Sequence, residues 1–493
     1  MLRAHPEPVG SLEEASLRCS PGREPGAAQC AGRTIRACST RLLSLIGLLG
    51  LLSACGARPA EAPGEDPEGR ARPLSRLAEI EDLDPAEGVI HGRLVAEARE
   101  GAAPWRYAYN GLNPGPLIRG RVGDRLVIDL ENRLSVGTTI HWHGLKVPYE
   151  MDGVPWMREP VQPMASSRIE FELTHAGTYW YHPHFDTEGQ VDGGLYGVVI
   201  VEDPAEPRAD VEVALVFDVE QEDDPGRRSR PPGHAHGHGR LRSAWRVNGE
   251  RAPVVFEGRG GQVVRARLIN ASNVGYLDLR WPGIRHIAGD QGLLEGLETP
   301  DRLVLGPGDR ADVEWLLGPE GFDVEAWPWS LNGGEALGAP EALVRVSVEA
   351  PGPAPAGLAW PFGGRAPTAD SGRLDVLYAL NGSDRSNTWR INGQHFHEGT
   401  IETVPFGAEV IMEVRNLSPT EHPFHLHGLP FEVLSVNGVG VARRTMEDTI
   451  NLRIRDRVRL RIEADNAGDW MAHCHILPHA EDGMMAVFRV LAP

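Results

Sequence analysis

From about residue 78 onward, short apolar and β-branched runs alternate with polar positions and are broken by Gly, Pro, Asn and Asp. Arg125-Leu-Val-Ile-Asp-Leu, Ser167-Arg-Ile-Glu-Phe-Glu-Leu and Tyr196-Gly-Val-Val-Ile-Val are examples. A period of two sends successive side chains to opposite faces, so each run predicts a strand with one buried face. No long stretch carries the helical period instead. Many short strands with turn residues between them predict an all-β chain of sandwiches.

The pattern repeats. Asn110-Gly111 precedes Asn132 by 22 residues, Asn248-Gly249 precedes Asn270 by 22, and Asn392-Gly393 precedes Asn416 by 24. Each copy reads as an Asn-Gly turn, a Gly-containing loop and an apolar strand, which predicts three similar sandwich domains. The expected spans are 78–205, 206–350 and 369–493, with 351–368 as a Pro/Gly/Ala-rich linker.

The first 77 residues read differently. An apolar run at 42–54 follows Arg36 and Arg41 and is too short to span a bilayer comfortably, which fits a secretion signal. Leu52-Ser-Ala-Cys55 is similar to a bacterial lipoprotein box, although ordinary cleavage at the nearby small residues would also fit. The expectation is a leader over 1–55, a Pro/Ala/Glu-rich tether over 56–77, and an exported, periplasmic or cell-envelope protein lipid-anchored through Cys55. Oligomer-forming features are not evident, and a monomer is expected.

The net charge of −20 offers no basic stripe for phosphates and argues against nucleic acid as a partner. Lys146 is the only lysine, a matter of composition rather than chemistry. Cysteine usage says more: Cys19, Cys30, Cys38 and Cys55 lie in the leader, leaving Cys474 alone among the predicted strands. A disulfide is excluded there, and a lone Cys between two His is a better metal ligand than structural residue.

That cysteine sits in His473-Cys474-His475-Ile-Leu-Pro-His479-Ala-Glu-Asp-Gly-Met484. Read as a strand between Gly468 and Gly483, the segment points His473 and His475 one way and Cys474 the other. Two imidazoles serve one site and a thiolate serves a second. His479 and Met484 follow at five and ten residues, and a Cys with two His and a weak Met suits a blue-copper centre. Zinc, the rival metal, favours closed four-ligand sites. Upstream, His141-Trp-His143, His182-Pro-His184 and His422-Pro-Phe-His425-Leu-His427 bring the motif histidines to ten. Nineteen histidines are a modest total for this length, and ten of them in four such motifs exceed chance.

These four motifs resemble the copper-binding motifs of the multicopper oxidases, the laccase and bacterial cuprous-oxidase family, over about residues 80–493. The resemblance implies three cupredoxin-like Greek-key domains and four coppers. By motif order it implies a type 1 centre at His422, Cys474 and His479 with Met484 axial, and a type 2 copper at His141 and His425. The type 3 pair would take His143, His182, His184, His427, His473 and His475. Ligands from both ends of the chain place the cluster between the first and third domains, while the second, with Leu305-Gly-Pro-Gly-Asp-Arg-Ala-Asp-Val, reads as scaffold. An axial thioether implies a low-to-middling potential. Asp152, eleven residues after His141, matches the family's proton-handling aspartate, against the alternative of an Asp-Gly turn residue. Bacterial relatives often carry a carboxylate directly after the last His; here Ala480 stands there, and Glu481 is either the substitute or a solvated charge.

Other features read as background. His234-Ala-His-Gly-His238 looks like a solvated loop, His395 as structural, His397 as a residue lining the donor approach, and Trp142, Trp180 and Met485 as packing. The resulting expectation is a laccase-like oxidase that takes electrons singly from phenolic or aromatic donors and reduces dioxygen to water. Alternatives are a cuprous or ferrous oxidase, which the absence of a Met-rich run disfavours, and a non-catalytic copper-binding envelope protein.

Overall fold

A computed structural model describes residues 72–99, 105–220, 244–383, 388–399 and 401–493. The apolar run at 42–54, Cys55 and the His234–His238 loop lie outside these residues. Among the described residues the chain is nearly all strand, arranged as three consecutive cupredoxin-like β-sandwiches.

One pairing scheme recurs in each sandwich. Val89–Ala98 runs parallel to Arg125–Asn132, Val211–Glu220 to Val263–Asn270, and Val376–Ser383 to Glu409–Asn416. Parallel neighbours require a crossover, and the first strand of each pair is edged antiparallel by the strand leading into the Asn-Gly turn. The repeated asparagines explain why the sequence repeats. Asn110, Asn248 and Asn392 adopt φ of 54°, 51° and 55°, which Asn tolerates better than other non-glycine residues. Each side chain then pins the neighbouring strand, accepting from Val95, Val216 or Ala379 N and donating to Arg93, Ala214 or Leu377 O. At the other end of each copy, buried Asn132, Asn270 and Asn416 each donate to one carbonyl of the following loop and to one or two carbonyls 29–37 residues further on, and accept from the amide two residues on. Buried amides satisfied this fully fix a loop in one conformation.

Each sandwich has its own apolar core, and a fourth cluster joins them. Leu117 and Trp180 of the first sandwich, Val216 and Ile269 of the second, and Leu477 of the third pack there. The stretch expected as tether differs at its end. Arg72–Pro73 pairs parallel with Val254–Arg259, Leu74 and Leu77 pack on apolar clusters, and Ser75 O accepts from Asn248 Nδ2. Two half-buried leucines and an open sheet edge outweigh the polar composition that suggested a free tether. Residues 351–375 form no strand; Trp360 is buried under the Arg265 guanidinium of the second sandwich at 4.8 Å, and Thr368 and Asp370 bond to Glu432 and Ser435 of the third.

Candidate metal centre

The histidine motifs sit on strands whose register brings them together. His141–His143 pairs with Gly177–His182 so that His141 faces His182. In the third sandwich His422–Leu426 pairs with Gly468–Cys474, setting His425 opposite His473 and Phe424 opposite Cys474. The strand ends at Cys474. A one-turn helix, α2 (Leu477–Glu481), carries His479, whereas the sequence suggested a strand up to Gly483. Pro478 in the first turn lacks the amide that a strand would need.

His422, Cys474 and His479 form a compact buried triad. His422 Nδ1 lies 3.3 Å and His479 Nδ1 3.7 Å from Cys474 Sγ, and the two nitrogens are 3.2 Å apart. Met484 is fully buried beside them, its N bonding His479 O and its O accepting from Cys474 N. Ser418 Oγ lies 2.5 Å from His422 Nε2. Because Nδ1 faces the triad, Nε2 carries the proton and donates to Ser418, which fixes the tautomer. Burial pushes the Cys474 thiol well above its ordinary pKa.

On the other face of that strand, the remaining eight histidines of the four motifs form one buried cluster. Asp152 holds two of them: His141 Nδ1 is 3.0 Å from Oδ1 and His427 Nδ1 is 2.7 Å from Oδ2. Gly153 makes this possible, since its φ is +78° and a Cβ there would sit 1.8 Å from Ile140 O. His473 Nδ1 donates to Cys474 O at 2.8 Å and His182 Nδ1 to Pro183 O at 2.9 Å. Burial, with neighbouring imidazoles, holds His182, His184, His427, His473 and His475 well below their usual pKa.

These bonds leave lone pairs pointing inward. His141 Nε2, His143 Nδ1, and the Nε2 atoms of His182, His184 and His425 are buried without a hydrogen-bond partner, as are both nitrogens of His475. His427 and His473 each donate through Nδ1, so their Nε2 atoms are bare acceptors, yet they face one another at 3.1 Å. Two lone pairs at that distance repel unless a cation lies between them. The donor set therefore fits metal ions, and the His/Cys/His triad with a buried Met fits copper.

Three solved structures share this architecture. A multicopper oxidase from Pseudomonas thermotolerans is 30% identical with a TM-score of 0.70, the match covering 82% of this chain and 99% of that one. Two multicopper oxidase family models match, one over residues 96–206 and one over 370–493. The chain belongs to the multicopper oxidase family. A laccase from Pediococcus acidilactici is 26% identical (TM-score 0.73, 88% and 95% covered), and a Campylobacter jejuni multicopper oxidase described as a metallo-oxidase is 25% identical (0.72, 86% and 96%). Multicopper oxidases are copper-dependent oxidoreductases that use oxygen.

The second sandwich does more than support. Arg310, fully buried, donates to both oxygens of Asp448 at 2.8 and 2.5 Å, and also to Thr178 O, Gly308 O and Asp290 O. Asp448 in turn accepts at Oδ1 from His143 Nε2 at 3.1 Å and at its carbonyl from His425 Nδ1 at 2.9 Å. Burial opposes ionisation of Asp448, but the Arg310 charge outweighs it and holds the carboxyl well below its usual range. The scaffold expectation for 305–313 is thus corrected, because one guanidinium joins all three sandwiches beside the cluster. Asp448, Arg310 and Ser418 were not legible as site residues, since no spacing rule links them to the histidine motifs.

Other expected residues fall as follows. Trp180 stacks on His182 at 4.2 Å and Trp142 packs against Phe171, both buried. Glu481 Oε1 accepts from Glu188 N at 2.8 Å, joining α2 to α1 (Thr187–Val191). Glu481 also lines a cavity of about 340 Å³ with His184, Asp186, Met471 and Met485. The His395 and His397 rings lie 5.6 Å apart, and the His395 ring presses on Gly483, where a Cβ would come within 2.3 Å.

Proposed function

We propose that the protein is an exported, laccase-like oxidase that takes electrons singly from phenolic or aromatic donors and reduces dioxygen to water. The observation that carries this reading is the Cys474 junction: its thiol belongs to the buried triad while His473 and His475, bonded to it through one peptide on each side, belong to the eight-histidine cluster. In this reading His422, Cys474 and His479 with Met484 hold the type 1 copper, His141 and His425 the type 2, and His143, His182, His184, His427, His473 and His475 the type 3 pair. Bound copper would supply the one-electron steps that side chains cannot.

The chain's own residues do the rest. The Cys474 backbone provides a short covalent path between the two sites. Asp152 bonds His141 and His427, and in this reading it passes protons towards the cluster. Glu481, at the cavity that reaches His184, is the proposed second proton carrier in place of the carboxylate absent at Ala480. Export and a lipid anchor at Cys55 are proposed from the leader sequence, and a monomer from the lack of oligomer-forming features.

A second reading, oxidation of copper(I) or iron(II), is favoured by one observation: His479 is only 1% exposed, which leaves no open cleft for an aromatic ring against it. Oxygen uptake by one copper-loaded preparation separates the two. Rapid uptake with a dimethoxyphenol and sluggish uptake with copper(I) supports the laccase-like reading. The reverse, or phenol oxidation only with free copper added, establishes the metal-ion oxidase. No uptake with any reductant would leave a copper-binding protein without activity.

A further inference from the structure

The triad's outward side is closed by an aromatic ring. Trp389 stacks on His479 with ring centroids 3.8 Å apart at 29°, and meets His422 edge-on at 5.3 Å. Both Trp389 and His479 are 1% exposed. The ring is delivered by Thr388–Ile391, an edge strand whose alternate residues Trp389 and Ile391 point inward. Across the ladder, Gly382 faces Trp389, and a Cβ there would stand 2.6 Å from the indole. The absence of a side chain at Gly382 is what lets the indole lie in this position.

An aromatic at this place is part of the fold. Tyr107, Trp245 and Trp389 each stand three residues before the Asn of the repeated turn. Tyr107 presses on Gly193 and Trp245 on Gly275, where added Cβ atoms would lie within 2.3 and 2.7 Å of the rings. Only in the third copy does the ring cover a histidine of the metal centre. A structural position common to all three sandwiches has thereby become a cover on the triad.

We propose that Trp389 is a gate that sets donor specificity, which rests on the oxidase reading above. With the indole in place no donor touches the His479 imidazole, and an electron must cross the ring to reach it. Donors that exchange electrons at a distance lose little by this, while phenols are oxidised across the indole and more slowly than direct ring-to-imidazole contact would allow. Each donor molecule gives up one electron, and the phenol also releases its hydroxyl proton to solvent.

The test compares wild type, Trp389→Phe and Trp389→Ala. In the copper-free proteins, diethyl pyrocarbonate labelling read by mass spectrometry should leave His479 unmodified in wild type and Trp389→Phe, and modify it in Trp389→Ala. In the copper-loaded proteins, anaerobic bleaching of the blue absorption is followed with 2,6-dimethoxyphenol and with hexacyanoferrate(II). Trp389→Ala should bleach at least about tenfold faster with the phenol, and change little with hexacyanoferrate(II), because only the phenol gains from contact. Trp389→Phe should resemble wild type with both. Equal fold-changes for the two donors, or no gain with the phenol, would overturn the gate. Should Trp389→Ala not hold copper, Trp389→Val is read by the same criteria. A wild type that is neither blue nor active refutes the oxidase reading but leaves the labelling result to decide whether Trp389 covers His479.

Discussion

Replacing Arg310 by Met would remove a guanidinium that touches all three sandwiches. Its five hydrogen bonds run to Thr178 O in the first, Gly308 O and Asp290 O in the second, and both Asp448 oxygens in the third. Met keeps much of the volume, so the loss is electrostatic. A buried carboxylate stripped of its partner costs about 3–5 kcal/mol. Two consequences should appear together. The copper-free protein should lose about 3–5 kcal/mol in urea unfolding followed by tryptophan fluorescence. Asp448, no longer held ionised, should take up a proton and accept from His143 only weakly, as a neutral carboxyl, and loss of such support lowers metal affinity by about 10–100-fold.

The copper deficit should be local. Arg310 contacts neither His422, Cys474 nor His479, so the variant should stay blue while losing copper from the eight-histidine cluster, as read by metal analysis and electron paramagnetic resonance. Arg310→Lys keeps the charge but cannot bind both Asp448 oxygens through a fork, and should fall between the two. An unfolding midpoint and copper content equal to wild type in Arg310→Met would refute the reasoning and reduce Arg310 to packing.

Cys474→Ser should abolish the blue absorption while circular dichroism shows the sandwiches intact, because serine replaces the thiolate at nearly equal volume. Copper loading at the triad should strengthen about tenfold per pH unit through neutrality: burial raises the thiol pKa, so the thiol is protonated at pH 7 and metal must displace that proton. A pH-independent affinity in competition titrations would contradict it. Asp152→Asn should slow dioxygen reduction by about 100-fold or more at an unchanged blue absorption; undiminished turnover would make Asp152 merely structural. Ser418→Ala removes the nearer acceptor for His422 Nε2 and leaves only Thr420 Oγ1 at 3.4 Å, making the imidazole a poorer donor, and should raise the type 1 potential by about 59 mV for each 1.4 kcal/mol lost from the oxidised form; a fall in spectroelectrochemical titration would count against this tautomer.

What the sequence disclosed and what it withheld follow from range. The ligand motifs are local: His-x-His puts both imidazoles on one strand face, and Cys474 between two histidines needs only the strand period to serve two sites. The repeated asparagines were equally visible, because the Asn-Gly turn is a short-range device, whereas the second partners of Asn132, Asn270 and Asn416, 29–37 residues further on, were not. Arg310 and Asp448 are 138 residues apart, and Asp448 lies 305 from His143; only the folded arrangement of three sandwiches joins them. The turn α2 escaped notice because His473 to Gly483 is apolar enough to pass for strand. Residues 72–77 escaped because a polar composition says nothing about two leucines that find a core.

The cluster makes copper a structural partner of the fold as well as its reagent. Without metal, the protein buries bare imidazole nitrogens on strands of the first and third sandwiches, with His427 and His473 nitrogens at 3.1 Å. A buried polar atom without a partner costs about 1–3 kcal/mol, and these atoms lie at the interface that Arg310 and Asp152 close from outside. Copper held by these residues would relieve that cost and tie the two sandwiches together, so the free energy of binding would become free energy of domain association. The supporting bonds are placed accordingly: Asp152 joins His141 of the first sandwich to His427 of the third, and Asp448 of the third holds His143 of the first. Each carboxylate spans the interface, so the alignment of the ligands and the docking of the sandwiches are one structural requirement.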